Sequence, residues 1–389
     1  MNINKWTVAL AAAGVVSFAS VTNAQEAKET VKTLAASTTL SGYVSTSVNW
    51  TPGSTDGVQS SYFANSGKND RIALDVISLT LASKAGEGEW AAGYKATLWA
   101  GPDALALNTS SGTEGDVAIK NAYISLRAPL GTGVDLKMGV FDTIIGYEGT
   151  DRNTNPFYSH SWGFYFEPTQ HTGLLASYRV SDAISLSAGI ANTTTPAINA
   201  QAANNSRKTY MAAATLTAPD SFGFLKGASV TGGFVSGRRS DLGAVSDQNY
   251  YVGATIPTPI KDLTFGFAWD RKSLSGSLDN ILGDDVDVTG AIEFDIVSAY
   301  LSYKVSDKLT ASYRGEVIMV DGSASVGSVT GDIDRTLAWA HTVGLDYKLW
   351  ANVTSRLEYR LEDSALLKEA GVSDRRFGQS VTANVIYNF

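Results

Sequence analysis

The 389-residue chain contains no cysteine and only three histidines, His160, His171 and His341. Without cysteine an exported fold has no disulfide to hold it. Three scattered imidazoles do not supply the clustered ligands that zinc requires. Basic residues are also scarce: 30 Lys and Arg stand against 38 Asp and Glu, and that balance excludes nucleic acid as a partner. Beyond residue 24 no apolar run reaches the ~18 residues of a membrane helix, so helical spanning is excluded. No Gly-x-Ser-x-Gly elbow occurs, nor a glycine-rich phosphate loop closed by Lys-Ser/Thr. No catalytic residue, cofactor or metal ligand is therefore expected.

What is present begins with an export signal. A short start, Met1 to Lys5, leads into an apolar stretch from Trp6 to Val21. Thr22-Asn23-Ala24 then offers small residues for cleavage before Gln25. The polar run Gln25-Glu26-Ala27-Lys28-Glu29 follows too soon for the stretch to be a membrane helix. Residues 1–24 are read as a signal peptide, 25–37 as a short periplasmic tail and 38–389 as one domain. Loss of Lys5 with the signal gives the mature chain a net charge of −9.

The rest of the chain alternates with period two, the signature of strands with one apolar face. Leu40, Gly42, Val44, Thr46, Val48 and Trp50 interleave with Thr39, Ser41, Tyr43, Ser45, Ser47 and Asn49. Val381, Ala383, Val385, Tyr387 and Phe389 end the chain in the same rhythm. Sixteen strands are predicted, near 38–50, 71–83, 89–100, 117–128, 134–142, 171–180, 183–192, 207–217, 226–237, 248–256, 262–271, 291–305, 308–317, 336–349, 352–362 and 378–389. Their connections alternate short and long. The long ones are predicted at 51–70, 101–116, 143–170, 193–206, 238–247, 272–290, 318–335 and 363–377. Loops sorted in this way describe an all-β transmembrane antiparallel up-and-down barrel, with long extracellular loops and both termini periplasmic. A soluble sandwich has no reason to sort its loops. Tyr178-Arg179-Val180-Ser181-Asp182 recurs as Tyr303-Lys304-Val305-Ser306-Asp307, which sets an outward Tyr before a short turn, at an interfacial belt.

In such a barrel the polar phase of each strand faces a wet lumen, because a charge facing lipid at mid-depth costs roughly 2–4 kcal/mol. That phase contains Lys95, Arg127, Asp135, Lys137, Arg179, Lys304, Arg314, Glu316, Asp346, Lys348, Arg356, Glu358, Arg360 and Glu362. Lys95, Arg127, Lys137, Arg179, Arg314, Glu316, Arg356, Glu358, Arg360 and Glu362 are the pore-lining candidates. The phase slips near Val76-Ile77, which points to a bulge or a tight lumen, and His341 falls in the outward phase. Basic groups outnumber acidic ones in the inward series, so the acidic excess lies mostly in loops such as Gly283–Asp287 and Gly331–Asp334. Asp284, Asp285 and Asp287 lack the spacing of a calcium loop and read as solvated.

The longest connection, 143–170, carries Tyr147, Phe157, Tyr158, Trp162, Phe164, Tyr165 and Phe166. Such aromatic content argues against disorder. By analogy with general porins it is expected to fold into the lumen, with Glu148, Asp151, Arg152, Tyr158 and His160 as constriction candidates. An ordered cap on the barrel rim is the alternative.

The run from Gly139 to Glu148, with Asn155-Pro156-Phe157-Tyr158-Ser159-His160-Ser161 and His171 to Tyr178, resembles the putative β-barrel porin-2 (OmpL-like) family. The resemblance implies an outer-membrane porin and carries no catalytic assignment or defined substrate. The expected function is passive diffusion of small hydrophilic solutes with a mild preference for anions. A solute-specific uptake channel and an outer-membrane hydrolase of phospholipase or protease type are the alternatives. Expected partners are outer-membrane lipids, small polar solutes, the barrel-assembly machinery acting on Phe389, and further copies of the chain in a homotrimer.

Overall fold

The computed structural model describes residues 38–52, 68–86, 90–107, 109, 116–202, 207–241, 245–277, 288–326, 329–363 and 377–389. The predicted signal and tail, and the acidic cluster at 284, 285 and 287, lie outside the described residues. Sixteen strands form one closed antiparallel sheet in which β1 (Thr39–Trp50) pairs with both β2 (Arg71–Ser83) and β16 (Phe377–Asn388). Between them run β3 (Ala91–Ala100), β4 (Val117–Ala128), β5 (Val134–Asp142), β6 (Gln170–Arg179), β7 (Ile184–Ala191), β8 (Thr209–Thr217), β9 (Ser229–Arg238), β10 (Ser246–Pro257), β11 (Leu263–Ser277), β12 (Val288–Lys304), β13 (Leu309–Val326), β14 (Val329–Trp350) and β15 (Val353–Asp363). Closure leaves no strand edge unpaired, which is the condition for crossing a bilayer with sheet.

Alternation in sequence becomes alternation in burial. In β16 the outward Val385 and Tyr387 are exposed while Ser380, Thr382 and Asn384 are buried on the lumen side. The chain ends on a backbone pair, Gly42 N–H to Phe389 C=O at 2.9 Å and the reverse at 3.0 Å. Gly42 is required there, because a Cβ would strike the Ser78 carbonyl and the Phe389 ring. The repeated pentapeptide makes one turn twice: Arg179 pairs with Asp182 at 2.8 Å and Lys304 with Asp307 at 2.7 Å.

Three expectations are corrected. Most of 318–335 is strand, since β13 runs to Val326 and β14 starts at Val329; Gly331–Asp334 therefore lie in β14. Beyond the lipid both faces meet water, so the apolar alternation that marks a strand stops before the strand does. The 272–290 loop is likewise shortened at both ends by β11 and β12. Loop sorting has an exception: the β8–β9 connection on the short side holds a 3₁₀ helix, Asp220–Leu225, that exposes Phe222 and Phe224. The phase slip in β2 is a bulge: the register shifts between Ser45 and Thr46, Val76 and Leu74 pair across it, and Asp75 is left over. Asp75 points inward and accepts from Ser45 and Ser47 at 2.8 Å each. His341 does face outward, where its Nδ1 lies 2.6 Å from the Tyr313 hydroxyl.

Candidate functional site

The segment between β5 and β6, residues 143–169, crosses the lumen. Its middle is laid along the charged inner faces of β13 and β15. Arg356 donates to the carbonyls of Asn155 at 2.6 Å and Phe157 at 2.9 Å. Arg314 donates to the Ser159 carbonyl at 2.9 Å and the His160 carbonyl at 3.2 Å. The carboxylates take the amides: Tyr158 N–H donates to Glu358 at 2.6 Å, and Trp162 N–H to Glu316 at 2.7 Å. An irregular backbone has unpaired donors and acceptors, and alternating Arg and Glu on a strand face satisfies both kinds. Arg360 completes the ladder through Glu316 at 2.8 Å and Glu362 at 2.9 Å.

Pairs on the loop itself tighten the attachment. Buried Glu148 meets Arg314 at 2.8 Å, His160 Nδ1 at 3.2 Å, the Ser161 N–H at 3.0 Å and the Tyr300 hydroxyl at 3.0 Å. Burial alone would raise the Glu148 carboxyl; Arg314 and then His160 outweigh it and hold it at about 2. Burial pushes the His160 imidazole below its ordinary value despite Glu148, so the neutral ring donates from Nδ1. The ring also stacks on Phe164 at 3.8 Å, within a short helix α2 (Trp162–Phe166) that Ser161 caps. On the far side Arg152 reaches Asp103 at 2.5 Å, and Tyr158 donates to Asp75 at 2.7 Å. Asp103 belongs to a second short helix, α1 (Pro102–Leu107), whose carboxylate also binds Lys68. Ile145 packs in a cluster with Phe141, Leu175, Met211, Val235 and Tyr251, and Phe157 joins that cluster from the ladder side, its ring 4.8 Å from the Arg314 guanidinium.

Of the predicted pore-lining residues, Arg314, Glu316, Arg356, Glu358, Arg360 and Glu362 face inward but are buried against one another and the loop. Lys95, Arg127, Lys137 and Arg179 also face inward, away from that ladder. Arg127 pairs with Asp135 at 3.0 Å, whereas Lys95 and Lys137 have no ion-pair partner among the described residues. Lys137 lies 5.1 Å from the Tyr123 ring. Asp151 meets Lys120 at 2.9 Å, and Lys120 also meets Asp142 at 2.9 Å. Lys68, Asp75, Asp103, Lys120, Asp142, Glu167 and Asp270 were not singled out from sequence. Asp270 sits in the polar phase near the end of its predicted strand, a signal that could have found it, whereas Asp142 falls in the apolar phase with Leu136, Met138 and Val140 and gave none.

Three cavities run past the loop. The extracellular one, about 480 Å³, is lined by Tyr165, Phe166, Arg239, Asp247 and Lys272. A narrower one, about 190 Å³, is lined by Lys120, Glu148, Thr150 and Asp151. Phe164, Glu167, Pro168 and Thr169 line both. A third, about 280 Å³, lies on the periplasmic side against Tyr123, Lys137 and Ser177, and shares Asp142 and Thr143 with the second.

A closed sixteen-strand barrel with a loop pinned across its lumen is the architecture of a porin. The chain belongs to the putative β-barrel porin-2, OmpL-like, family. The family's pattern matches residues 37–389. OmpT of Vibrio cholerae superposes with a TM-score of 0.57 at 14% identity, covering 90% of this chain and 97% of its own. The channel DcaP of Acinetobacter baumannii gives 0.55 at 12%, covering 90% and 97%. An anion-selective porin from Comamonas acidovorans gives 0.56 at 12%, covering 91% and 99%. At these identities the likeness concerns the fold. No curated protein sequence matches the chain. The protein is an outer-membrane porin.

Proposed function

We propose that this porin passes small hydrophilic solutes by passive diffusion along the β4–β6 wall, with a mild preference for anions. The supporting observation is the file of three cavities that share walls past the loop. Along this route Lys120 bridges Asp142 and Asp151, which leaves one net negative charge, and the Arg–Glu ladder is neutral and buried. Lys95 and Lys137 add two positive charges on the periplasmic side, so these groups together carry one net positive charge, which raises the local anion concentration over ~10 Å at 0.1 M salt. On this reading Glu148, Asp151, Arg152, Tyr158 and His160 shape the constriction rather than touch every passing solute.

We also infer export by cleavage after Ala24, insertion through recognition of the Phe389 strand, and assembly as a homotrimer. A trimer form is known for OmpT of Vibrio cholerae. No enzymatic role is assigned, and lipid-release assays on pure protein test that assignment. Liposome swelling with neutral, anionic and cationic solutes of graded size tests the diffusion reading. Small neutral and anionic solutes should enter fastest, and a protein that admits none of them would overturn it.

A further inference from the structure

We propose that the carboxyl groups of Glu167 and Asp270 form a proton-operated latch that fixes the end of the lumen loop to β11. The consequence for conductance rests on the diffusion reading; the latch itself does not. Glu167 follows α2 directly, with its backbone N–H donating to the Gly163 carbonyl at 3.1 Å. Asp270 projects inward from β11, and the two carboxyl groups are hydrogen-bonded to each other. A carboxylate has no hydrogen to donate, so that bond exists only while one of the pair is protonated. The loop is cut to fit: a Cβ at Gly146 would strike Glu167, and one at Gly163 would strike Asp270.

The side chains around the pair offer a second negative charge no uncommitted cation. Asp270 Oδ1 is buried with no hydrogen-bond partner. The cations nearby are committed elsewhere. Lys272 of β11 is held by Asp247 of β10 at 2.8 Å, the Asn249 side chain at 3.1 Å and the Phe166 carbonyl at 3.0 Å. Arg239 pairs with Asp241 and Asp247, and Arg314 of β13 with Glu148 and Glu316. The remaining titratable neighbours are Glu148 on the loop, Tyr251 on β10 and Tyr300 on β12, none of them cationic. Burial, then the charge and hydrogen bond of Asp270, push the Glu167 carboxyl well above its ordinary value. A raised value in the folded state means that the latch is complete at lower pH and is lost as pH rises through that value.

Residues 164 and 166–168 line the extracellular cavity, and Phe164, Glu167 and Pro168 also line the narrow one. Repulsion between two carboxylates would lift this divider off β11 and join the cavities, so conductance rises with pH. The test titrates wild type, Asp270→Asn and Glu167→Gln from mildly acid to alkaline pH. Three readouts are taken: the infrared band of a protonated carboxylic acid, hydrogen exchange of peptide 162–168 corrected for intrinsic rate, and single-channel conductance. An amide at either position donates to the remaining carboxylate without a titrating proton. Wild type should lose the band, gain exchange and step up in conductance together, and both variants should lack all three changes. Heat-modified gel mobility identifies the variants that retain a folded barrel. A wild type without the band, or an Asp270→Asn barrel that keeps the exchange transition, overturns the latch. A titrating band and exchange with no current at any pH overturn the diffusion reading instead.

Discussion

Replacing Arg314 by alanine should free the lumen loop while leaving the barrel assembled. The side chain is fully buried and bonds Glu148, Glu316, Thr342 and the Ser159 and His160 carbonyls. Removing one partner of a buried ion pair leaves the other charge uncompensated, at a cost of ~3–5 kcal/mol. The pH linkage of Glu148 gives the same scale: holding it at about 2, against an ordinary 4.5, corresponds to roughly 3 kcal/mol. Its carboxyl is depressed in the folded state, so this contribution is present above the ordinary carboxylate range and is lost as pH falls towards about 2. A loss of that size multiplies the released population by roughly a hundredfold to several thousandfold. The sixteen-strand ladder does not pass through Arg314's side chain, so the loss falls on the loop. Planar-bilayer recordings should show a larger, noisier conductance with unchanged heat-modified mobility. Arg314→Lys, which keeps the charge but not the planar fork, should lie between. Wild-type conductance and noise in a folded Arg314→Ala barrel would refute the reasoning.

Other outcomes follow from the same structure. Wild-type channels should become noisier as pH falls from the ordinary carboxylate range towards about 2, as Glu148 takes up a proton; recordings that stay quiet there would detach Glu148 from loop anchoring. Lys95→Glu with Lys137→Glu should turn the reversal potential in a salt gradient from anion- to cation-selective, and an unmoved potential would place selectivity elsewhere. Gly42→Val should lower the yield of folded barrel in a refolding assay, because its Cβ has no room between the Ser78 carbonyl and Phe389; normal yield would show that the last strand can shift.

The sheet was legible because lipid and water impose opposite demands on successive residues, and that contrast is written into β1 and β16. It faded where the contrast ends, as in the part of β13 and β14 beyond the lipid. The inward Arg356, Glu358, Arg360 and Glu362 were also legible, but their partner was not. They read as pore lining because a strand pattern reports which side a residue faces and not what fills the space. The ladder serves the backbone of the 155–162 segment, and backbone amides carry no sequence signal. Asp75 was hidden by its bulge, which offsets the register by one residue. Glu167 and Asp270, 103 positions apart, meet only once the loop has folded back across the lumen.

The central claim is that residues 143–169 set the size of the aqueous path. Deleting Asn153–Phe166 removes the part of the loop held by Arg314 and Arg356, and single-channel conductance of the deletion against wild type measures its effect directly. The account predicts a severalfold increase in a barrel of unchanged heat-modified mobility. Unchanged conductance would contradict it and put the limiting constriction elsewhere in the barrel.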